Sequence, residues 1–186
     1  VISVSTGRVV EGIDPVTFDQ RAASLDPARS QPAPDNAARV VRIPTEALVY
    51  EMRDDAGRLE MVVLPIEGLG LWGTLYGFIA LDGDVRTVRG LTFYEHKETP
   101  GLGGEVDNPR WKALWTGRLA FDDDLTPAIG VVKGPAGSVT EAPYGVDGLS
   151  GATITSRGVT NLLRFWLGPD GLGPYLTRLR GEGVSN

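Results

Sequence analysis

The hydrophobic and polar residues follow two different patterns along the chain, and the patterns separate strands from helices. Beyond Arg39, β-branched and aromatic residues recur in short runs bounded by turn residues, which is typical of strands. Asp54–Gly57 and Asp82–Asp84 have the composition of hairpin turns and join neighbouring runs. The predicted strands are Val40–Ile43, Ala47–Met52, Leu59–Pro65, Leu75–Leu81, Val85–Phe93 and a short one at Ile129–Lys133.

Helical spacing is clearest near the C-terminus. Apolar residues at i, i+3, i+4 and i+7 end at Gly168 and Pro169, which predicts a helix over Ser156–Leu167. Its apolar positions are Val159, Leu162, Leu163 and Trp166. Shorter helical segments are predicted at Thr17–Leu25, Asn108–Thr116 and Pro174–Leu179. The predicted fold class is α+β, with a mostly antiparallel twisted sheet flanked by helices.

The polar and apolar composition of the two ends predicts the domain organisation. Residues 1–39 are polar and are interrupted by Asp26–Pro27 and by a proline-containing stretch, so we predict an N-terminal extension there. Residues 40–186 are predicted to form one domain, because 186 residues with 41% hydrophobic content suffice for one core. No run of about 18 apolar residues occurs, and no signal-peptide pattern is visible.

Charge and composition exclude several classes of chemistry. The net charge of -6 and the pI of about 4.8 argue against a nucleic-acid partner. The absence of cysteine excludes disulfides, Cys-ligated iron–sulfur clusters and thiol nucleophiles. A single histidine, His96, argues against a His-rich metal site or a Ser-His-Asp triad, and we predict no metal. Any redox chemistry must therefore come from an organic cofactor.

Gly68–Gly73 satisfies the G-x-G-x-x-G pattern of dinucleotide-binding loops. A true phosphate loop would be followed by a helix and by an acidic residue about 20 positions on. Here a strand-like segment follows, and no acid occurs near position 90. We therefore interpret these glycines as a tight strand entry, which argues against an NAD-dependent dehydrogenase.

Two loops carry candidate chemistry. Asp147–Ser156 concentrates four hydroxyls before a predicted helix, and a helix N-terminus favours an anion. The residues alone also allow a simpler interpretation, in which Thr155 or Ser156 caps that helix. Glu95–Gly104 contains a turn at Thr99–Gly101 and three glycines, and such a loop suits either a solvated turn or the polar edge of a planar ligand.

Both loops resemble the hallmark motifs of the FMN-binding domain family. Asp147 followed by Ser150–Thr153 is similar to the flavinylation motif of that family. The resemblance implies that Thr153 carries FMN through a phosphoester bond, which a separate flavin transferase makes from FAD. Ser150, Gly151, Ala152, Ile154 and Thr155 are the other expected FMN contacts in this segment.

The second loop is similar to the family's other hallmark and implies contacts with the isoalloxazine and ribityl groups. Its expected contact residues are Glu98, Thr99, Gly101, Leu102 and Gly103. The block around Leu71–Gly73 also recurs in the family, which makes Trp72 a further candidate. Lys133 precedes the attachment loop and is a candidate for the flavin or its phosphate, although a lone lysine at a strand end is commonly solvated.

Within the family, Asp107–Trp111 and Asn161–Tyr175 resemble the flavin-carrying subunit of the Na+-translocating NADH:quinone reductase more than its relative in the Rnf complex. This resemblance implies an electron carrier between NADH and ubiquinone, working with the other subunits of that reductase. It also implies a preceding N-terminal membrane helix and a soluble domain on the periplasmic side of the bacterial inner membrane. The Rnf relative, and a flavin-free interaction domain with the same fold, are the alternatives.

Overall fold

A four-stranded antiparallel sheet forms the centre of the molecule, whose computed structural model describes residues 1–184. Its strands, in spatial order, are β5 (Tyr50–Arg53), β6 (Leu59–Leu69), β7 (Thr74–Asp82) and β8 (Val88–Glu95). Both predicted hairpins are present. The N–H of Asp54 donates to the carbonyl of Arg58 at 2.9 Å, and that of Asp82 to the carbonyl of Thr87 at 2.8 Å.

Three pairs of short strands surround this sheet. They are β1 (Ile2–Ser3) with β4 (Glu46–Ala47), β2 (Ser30–Pro32) with β3 (Arg42–Pro44), and β9 (Gly130–Val131) with β10 (Gly145–Val146). The first two pairs are antiparallel, and the third is parallel. The predicted strand over residues 47–52 is split between two sheets. β10 was not predicted, because a two-residue strand paired with a distant segment leaves no periodic pattern.

The helices are α1 (Gln20–Leu25), a 3-10 helix (Gly103–Asp107), α2 (Pro109–Ala113), α3 (Thr153–Leu167) and α4 (Gly173–Val184). α2 is shorter than predicted. It starts after Asn108, whose side chain accepts from the N–H of Arg110 at 2.9 Å. α4 is longer than the predicted turn. Together with the mostly antiparallel strands, these helices confirm the α+β class.

The core lies between α3 and the inner face of the sheet. Strand β6 alternates buried and half-buried residues, as expected when one face of an antiparallel sheet is covered. α3 buries its predicted apolar stripe against that face, and the Trp166 indole N–H donates to the carbonyl of Glu67 at 2.7 Å. The packing of this stripe places the N-terminus of α3 beside the turn that follows β6.

Residues 1–39, the predicted extension, pack against the rest of the chain. Ile2, Val4 and Ala38 are buried within the main core. Arg21 of α1 forms an ion pair with Glu95 at 2.6 Å and lies over the ring of Tyr76. Among residues 1–184, no helix is long and apolar enough to cross a bilayer.

The glycine-rich segment at residues 68–73 forms the tight entry into β7, as predicted. β6 ends at Leu69, and the N–H of Gly70 donates to the carbonyl of Gly73 at 2.8 Å. β7 then returns antiparallel to β6, with Gly68 opposite Leu75. The strand–loop–helix arrangement that a dinucleotide phosphate requires is therefore absent at this segment.

Candidate functional site

The attachment motif leads directly into α3. The helix begins at Thr153, and Ala152 occupies the N-cap position, where its methyl side chain supplies no capping hydrogen bond. The predicted cap by Thr155 or Ser156, and the predicted start at Ser156, are therefore wrong. Both hydroxyls lie inside the first turn and bond to other segments. The uncapped end leaves a helix N-terminus that favours an anion.

Thr155 and Glu98 form the buried part of the site. The Thr155 side chain is fully buried and its hydroxyl donates to Oε2 of Glu98. Oε1 of the same carboxylate accepts from the N–H groups of Leu71 at 3.0 Å and Trp72 at 2.9 Å. A buried carboxylate requires such donors, because burial without them is costly. Glu98 thus joins α3, the loop after β8 and the turn after β6.

Close approach between the two motif loops depends on two glycines. A Cβ on Gly103 would lie 2.5 Å from the Thr155 hydroxyl and 2.6 Å from Oε2 of Glu98. Gly151 has a φ of +68°, and a Cβ there would lie 3.0 Å from the Leu102 side chain. Any larger residue at either position would push the loops apart. The glycines of both motifs therefore bring the loops into contact.

Further hydrogen bonds hold the attachment loop in place. Oδ1 of Asp147 accepts from the N–H of Ala136 at 2.8 Å, and its carbonyl accepts from the Trp111 indole at 2.9 Å. The Ser156 hydroxyl accepts from the N–H of Leu149 at 3.2 Å. These bonds attach the two ends of the loop to different neighbours, so its conformation is fixed before any ligand binds.

A cleft opens on the other side of the α3 N-terminus. It has a volume of about 770 Å³ and lies between α3 and the segment that contains β9. Thr153, Arg157 and Arg164 face it from α3, and Lys133 faces it from the opposite wall. No carboxylate lines it, although the chain carries a net charge of -6. The other lining residues are Val131, Val132, Gly134, Gly148, Leu149, Ser150, Gly151, Ser156, Thr160 and Asn161.

Four polar side chains of this cleft are free of protein partners. Thr153, Lys133, Arg157 and Arg164 are exposed. Within residues 1–184, none of these four side chains forms a hydrogen bond or ion pair. An unpaired hydroxyl between cations at a helix N-terminus suits a phosphate group. Thr153 and Thr155 therefore point to different surroundings, although only one residue separates them.

The structure divides the predicted site residues into three groups. Ser150, Gly151, Thr153 and Lys133 line the cleft, whereas Glu98, Gly103 and Thr155 form the buried contact. Trp72, Leu102 and Ile154 are exposed by 64%, 44% and 54%, and none of them lines the cleft. Thr99 and Gly101 belong to the turn in which the Thr99 carbonyl accepts from Leu102 and Gly104. Ala152 is the N-cap residue.

Two arginines contribute to the site without having been predicted. Arg164 lies on the cleft face of α3 at the i+7 position from Arg157, and helical spacing from Thr153 was the available signal. Arg118 is only 3% exposed and donates to the carbonyls of Gly137 at 2.7 Å and Ala142 at 2.6 Å. It holds the segment that precedes β10 and the attachment loop. No local pattern marks a buried arginine of this kind.

A comparison with protein families identifies the family of this chain. The FMN-binding domain family matches residues 70–168, which include both motif loops, the cleft and the whole of α3. This chain belongs to the FMN-binding domain family. The family assignment made from the two loop motifs is therefore confirmed. No group of three or more His, Cys, Asp or Glu residues within the described part of the chain is arranged to hold a metal ion.

The similar relatives carry one name, NqrC, a subunit of the Na(+)-translocating NADH-quinone reductase. The chain is 47% identical over 183 residues to the NqrC protein of Pseudomonas aeruginosa, covering 97% of this chain and 70% of that protein. It is 46% identical to the protein of the same name from Vibrio anguillarum, covering 100% and 72%. The resemblance to this subunit is confirmed.

Solved structures agree with the sequence relatives. NqrC of Shewanella oneidensis superposes with a TM-score of 0.89 at 38% identity, covering 97% of this chain and 82% of that chain. The NqrC protein of Parabacteroides distasonis superposes with a TM-score of 0.67 at 33% identity, covering 94% and 75%. The arrangement of the sheet around α3 is therefore shared by proteins of this name.

Proposed function

We propose that this chain is the FMN-carrying NqrC subunit of a Na+-translocating NADH-quinone reductase, with FMN joined to Thr153 by a phosphoester. The observation that carries the proposal is the exposed, unpaired Thr153 hydroxyl in a cleft with three cations and no carboxylate. The names of the relatives and the family match support the assignment to this complex.

The residues of the cleft fit a flavin phosphate. A phosphate esterified to Thr153 carries about one negative charge, by analogy with the second phosphate ionisation near pH 6. Lys133, Arg157 and the N-terminus of α3 supply compensating positive charge around that position. Ser150 adds a hydroxyl, and Gly151 lets the backbone approach. The cleft volume of about 770 Å³ lies within the usual range for small-molecule sites, about 300–1,000 Å³.

Exposed apolar groups beside the attachment point suit the isoalloxazine ring. Leu102 lies against Gly151, and Ile154 follows Thr153 on the helix. The Trp72 backbone is held by Glu98, next to the first turn of α3. These exposed side chains provide an apolar surface that a planar ring would cover. Glu98 and Thr155 hold that surface in place from below.

Bound FMN supplies one- and two-electron transfer, which links a two-electron donor to a one-electron chain. The chain itself fixes the position of the cofactor and keeps its binding side open. In the proposed complex its partners are the other subunits, and a flavin transferase loads the cofactor from FAD. We also propose that a membrane helix precedes this chain and that the domain lies on the periplasmic side of the bacterial inner membrane.

Covalent flavinylation tests the proposal. The chain is co-expressed with a flavin transferase and denatured, and the flavin is measured by in-gel fluorescence and intact mass. We expect retained FMN in the unchanged chain and in Ser150→Ala, which removes a neighbouring cleft hydroxyl. Thr153→Ala is expected to lose all covalent flavin, and Thr153→Ser to keep part of it.

Two outcomes would overturn the proposal. Covalent flavin retained by Thr153→Ala would place the ester elsewhere in the chain. A colourless unchanged chain, produced together with an active transferase and a flavinylated control protein, would support the flavin-free interaction domain instead.

A further inference from the structure

His96, the only histidine of the chain, lies at the base of the Glu98 loop. Its side chain is 14% exposed. Nδ1 accepts from the backbone N–H of Glu98 at 3.1 Å, and Nε2 lies 2.7 Å from Oδ2 of Asp107 in the 3-10 helix. The imidazole therefore connects that helix to the residue whose carboxylate organises the buried part of the site.

The two contacts define the tautomer of the imidazole. A neutral ring has one donor and one acceptor nitrogen. Nδ1 faces an N–H group and must accept, so the proton is on Nε2, from which it is donated to the Asp107 carboxylate. A carboxylate at Nε2 favours the same arrangement.

We propose that His96 is a positioning residue for Glu98, and that its protonation state sets the geometry of the Glu98 carboxylate at the candidate flavin site. The first half concerns the protein alone, and the second rests on the proposed function. The connection runs from His96 to the Glu98 backbone, and from the Glu98 carboxylate to Leu71, Trp72 and Thr155.

Protonation of His96 opposes its two contacts to one another. A second proton on Nδ1 would face the Glu98 N–H, and two donors cannot bond at this position. The contact of Nε2 with Asp107 would become a charge-assisted bond and grow stronger. The ring is thus held on the Asp107 side while the Glu98 backbone is released. The carboxylate of Glu98 must then move relative to Leu71 and Trp72.

The charged groups around His96 come from four segments. Asp107 and Glu105 belong to the 3-10 helix, and Lys112 of α2 lies 3.4 Å from Oδ1 of Asp107. On the side of the preceding strand, Arg21 forms an ion pair with Glu95. The hydrogen bond from Arg21 lowers the pKa of the Glu95 carboxyl, which therefore stays charged near neutral pH. Lys97 follows His96 and is exposed.

Nuclear magnetic resonance tests the first half in the flavin-free chain. Because there is one histidine, its ring 15N and 13C signals are assigned without ambiguity. We expect the Nε2–H tautomer at pH 8. Between about pH 5 and 8, the range in which histidines change charge, the amide signals of Glu98, Leu71 and Trp72 should shift with the same midpoint as the ring.

His96→Gln and Arg110→Ala complete this experiment. The glutamine variant should lose the coupled amide shifts, whereas Arg110→Ala, a change at an exposed arginine, should retain them. An Nδ1–H tautomer, or Leu71 and Trp72 amides that ignore the ring titration, would overturn the proposal. The tautomer is read in the unchanged chain, so this part stands even if the glutamine variant does not fold.

The second half is tested on the flavin-loaded chain by measuring the flavin midpoint potential across the same pH range. The unchanged chain should show a change of slope at the His96 midpoint, and His96→Gln should not. Identical curves would overturn the coupling to the flavin. A chain that takes up no flavin but shows the coupled amide shifts would contradict the proposed function and leave the positioning role intact.

Discussion

Thr153 and Thr155 lie in the same helical turn of the same motif, yet their surroundings are opposite. Thr155 is fully buried and bonds to Glu98, whereas Thr153 is exposed and has no side-chain partner in the described part of the chain. Residues two apart on a helix point about 200° apart, so one reaches the core and the other the cleft. One hydroxyl serves the structure of the site, and the other is available for chemistry.

The contrast shows how a single short motif combines rigidity with reactivity. A site residue is precise only if its neighbours are held by packing and hydrogen bonds. Thr155, Glu98 and the turn at Leu71–Trp72 form that support beneath the first turn of α3. Variants on the buried side should therefore change the free energy of unfolding, and variants on the cleft side should change flavin attachment.

Glu98→Ala should have the largest effect on stability. It leaves two backbone N–H groups and the Thr155 hydroxyl without their acceptor in a buried position. Unsatisfied buried groups cost about 1–3 kcal/mol each, so we expect a loss of about 3 kcal/mol or more in the free energy of unfolding. Urea denaturation measures it. Glu98→Gln keeps the shape of the side chain and one acceptor oxygen, so its loss should be smaller. Equal stability of Glu98→Ala and the unchanged chain would contradict the structural role.

Thr155→Val should rank second. Valine has a similar shape but no donor, and hydrogen bonds to charged groups contribute about 1.5–3 kcal/mol. Glu98 retains its two backbone donors, so the loss should fall near the lower end of that range. Thermal denaturation is the measurement, and Thr155→Ser is the matched control because it keeps the hydroxyl. A serine variant as unstable as the valine variant would show that packing, not the hydrogen bond, matters here.

Arg157→Ala should separate attachment from stability. A cation near a helix N-terminus is unfavourable, so its removal should leave the free energy of unfolding unchanged or raise it by about 0.5 kcal/mol. The initial rate of flavin attachment should fall about fivefold, the equivalent of about 1 kcal/mol of lost phosphate attraction. Arg110→Ala, which lies outside the cleft, should attach flavin at the unchanged rate. Equal rates in both variants would remove Arg157 from the site.

Thr153→Val should have the smallest effect on stability. Its side chain is exposed and unpaired within residues 1–184, and such substitutions usually change the free energy of unfolding by less than about 0.5 kcal/mol. The same urea measurement that resolves Thr155→Val should not distinguish Thr153→Val from the unchanged chain. If both valine variants lost similar stability, the division between a buried and a reactive threonine would be wrong.

Much of the fold could be predicted because its signals are local. The hairpins around β6, β7 and β8 and the apolar stripe of α3 follow from turn residues and from periodicity. The family could be recognised because both loop motifs are continuous in sequence. The start of α3 was misplaced because hydroxyl residues before an apolar stripe are ordinary caps. Thr155 instead bonds to Glu98, which lies 57 residues away in the chain.

The order of residues was enough to define the antiparallel hairpins, the α3 stripe, the absence of a dinucleotide loop and the two motifs of the candidate site. What each polar residue of those motifs does became clear only from the folded arrangement. Folding places Thr155 against Glu98, leaves Thr153 in a cleft with Lys133 and Arg157, and connects His96 to Glu98. The physical reason is that periodicity and turn chemistry act between neighbours in the chain, whereas hydrogen bonding and burial depend on segments that meet only after folding.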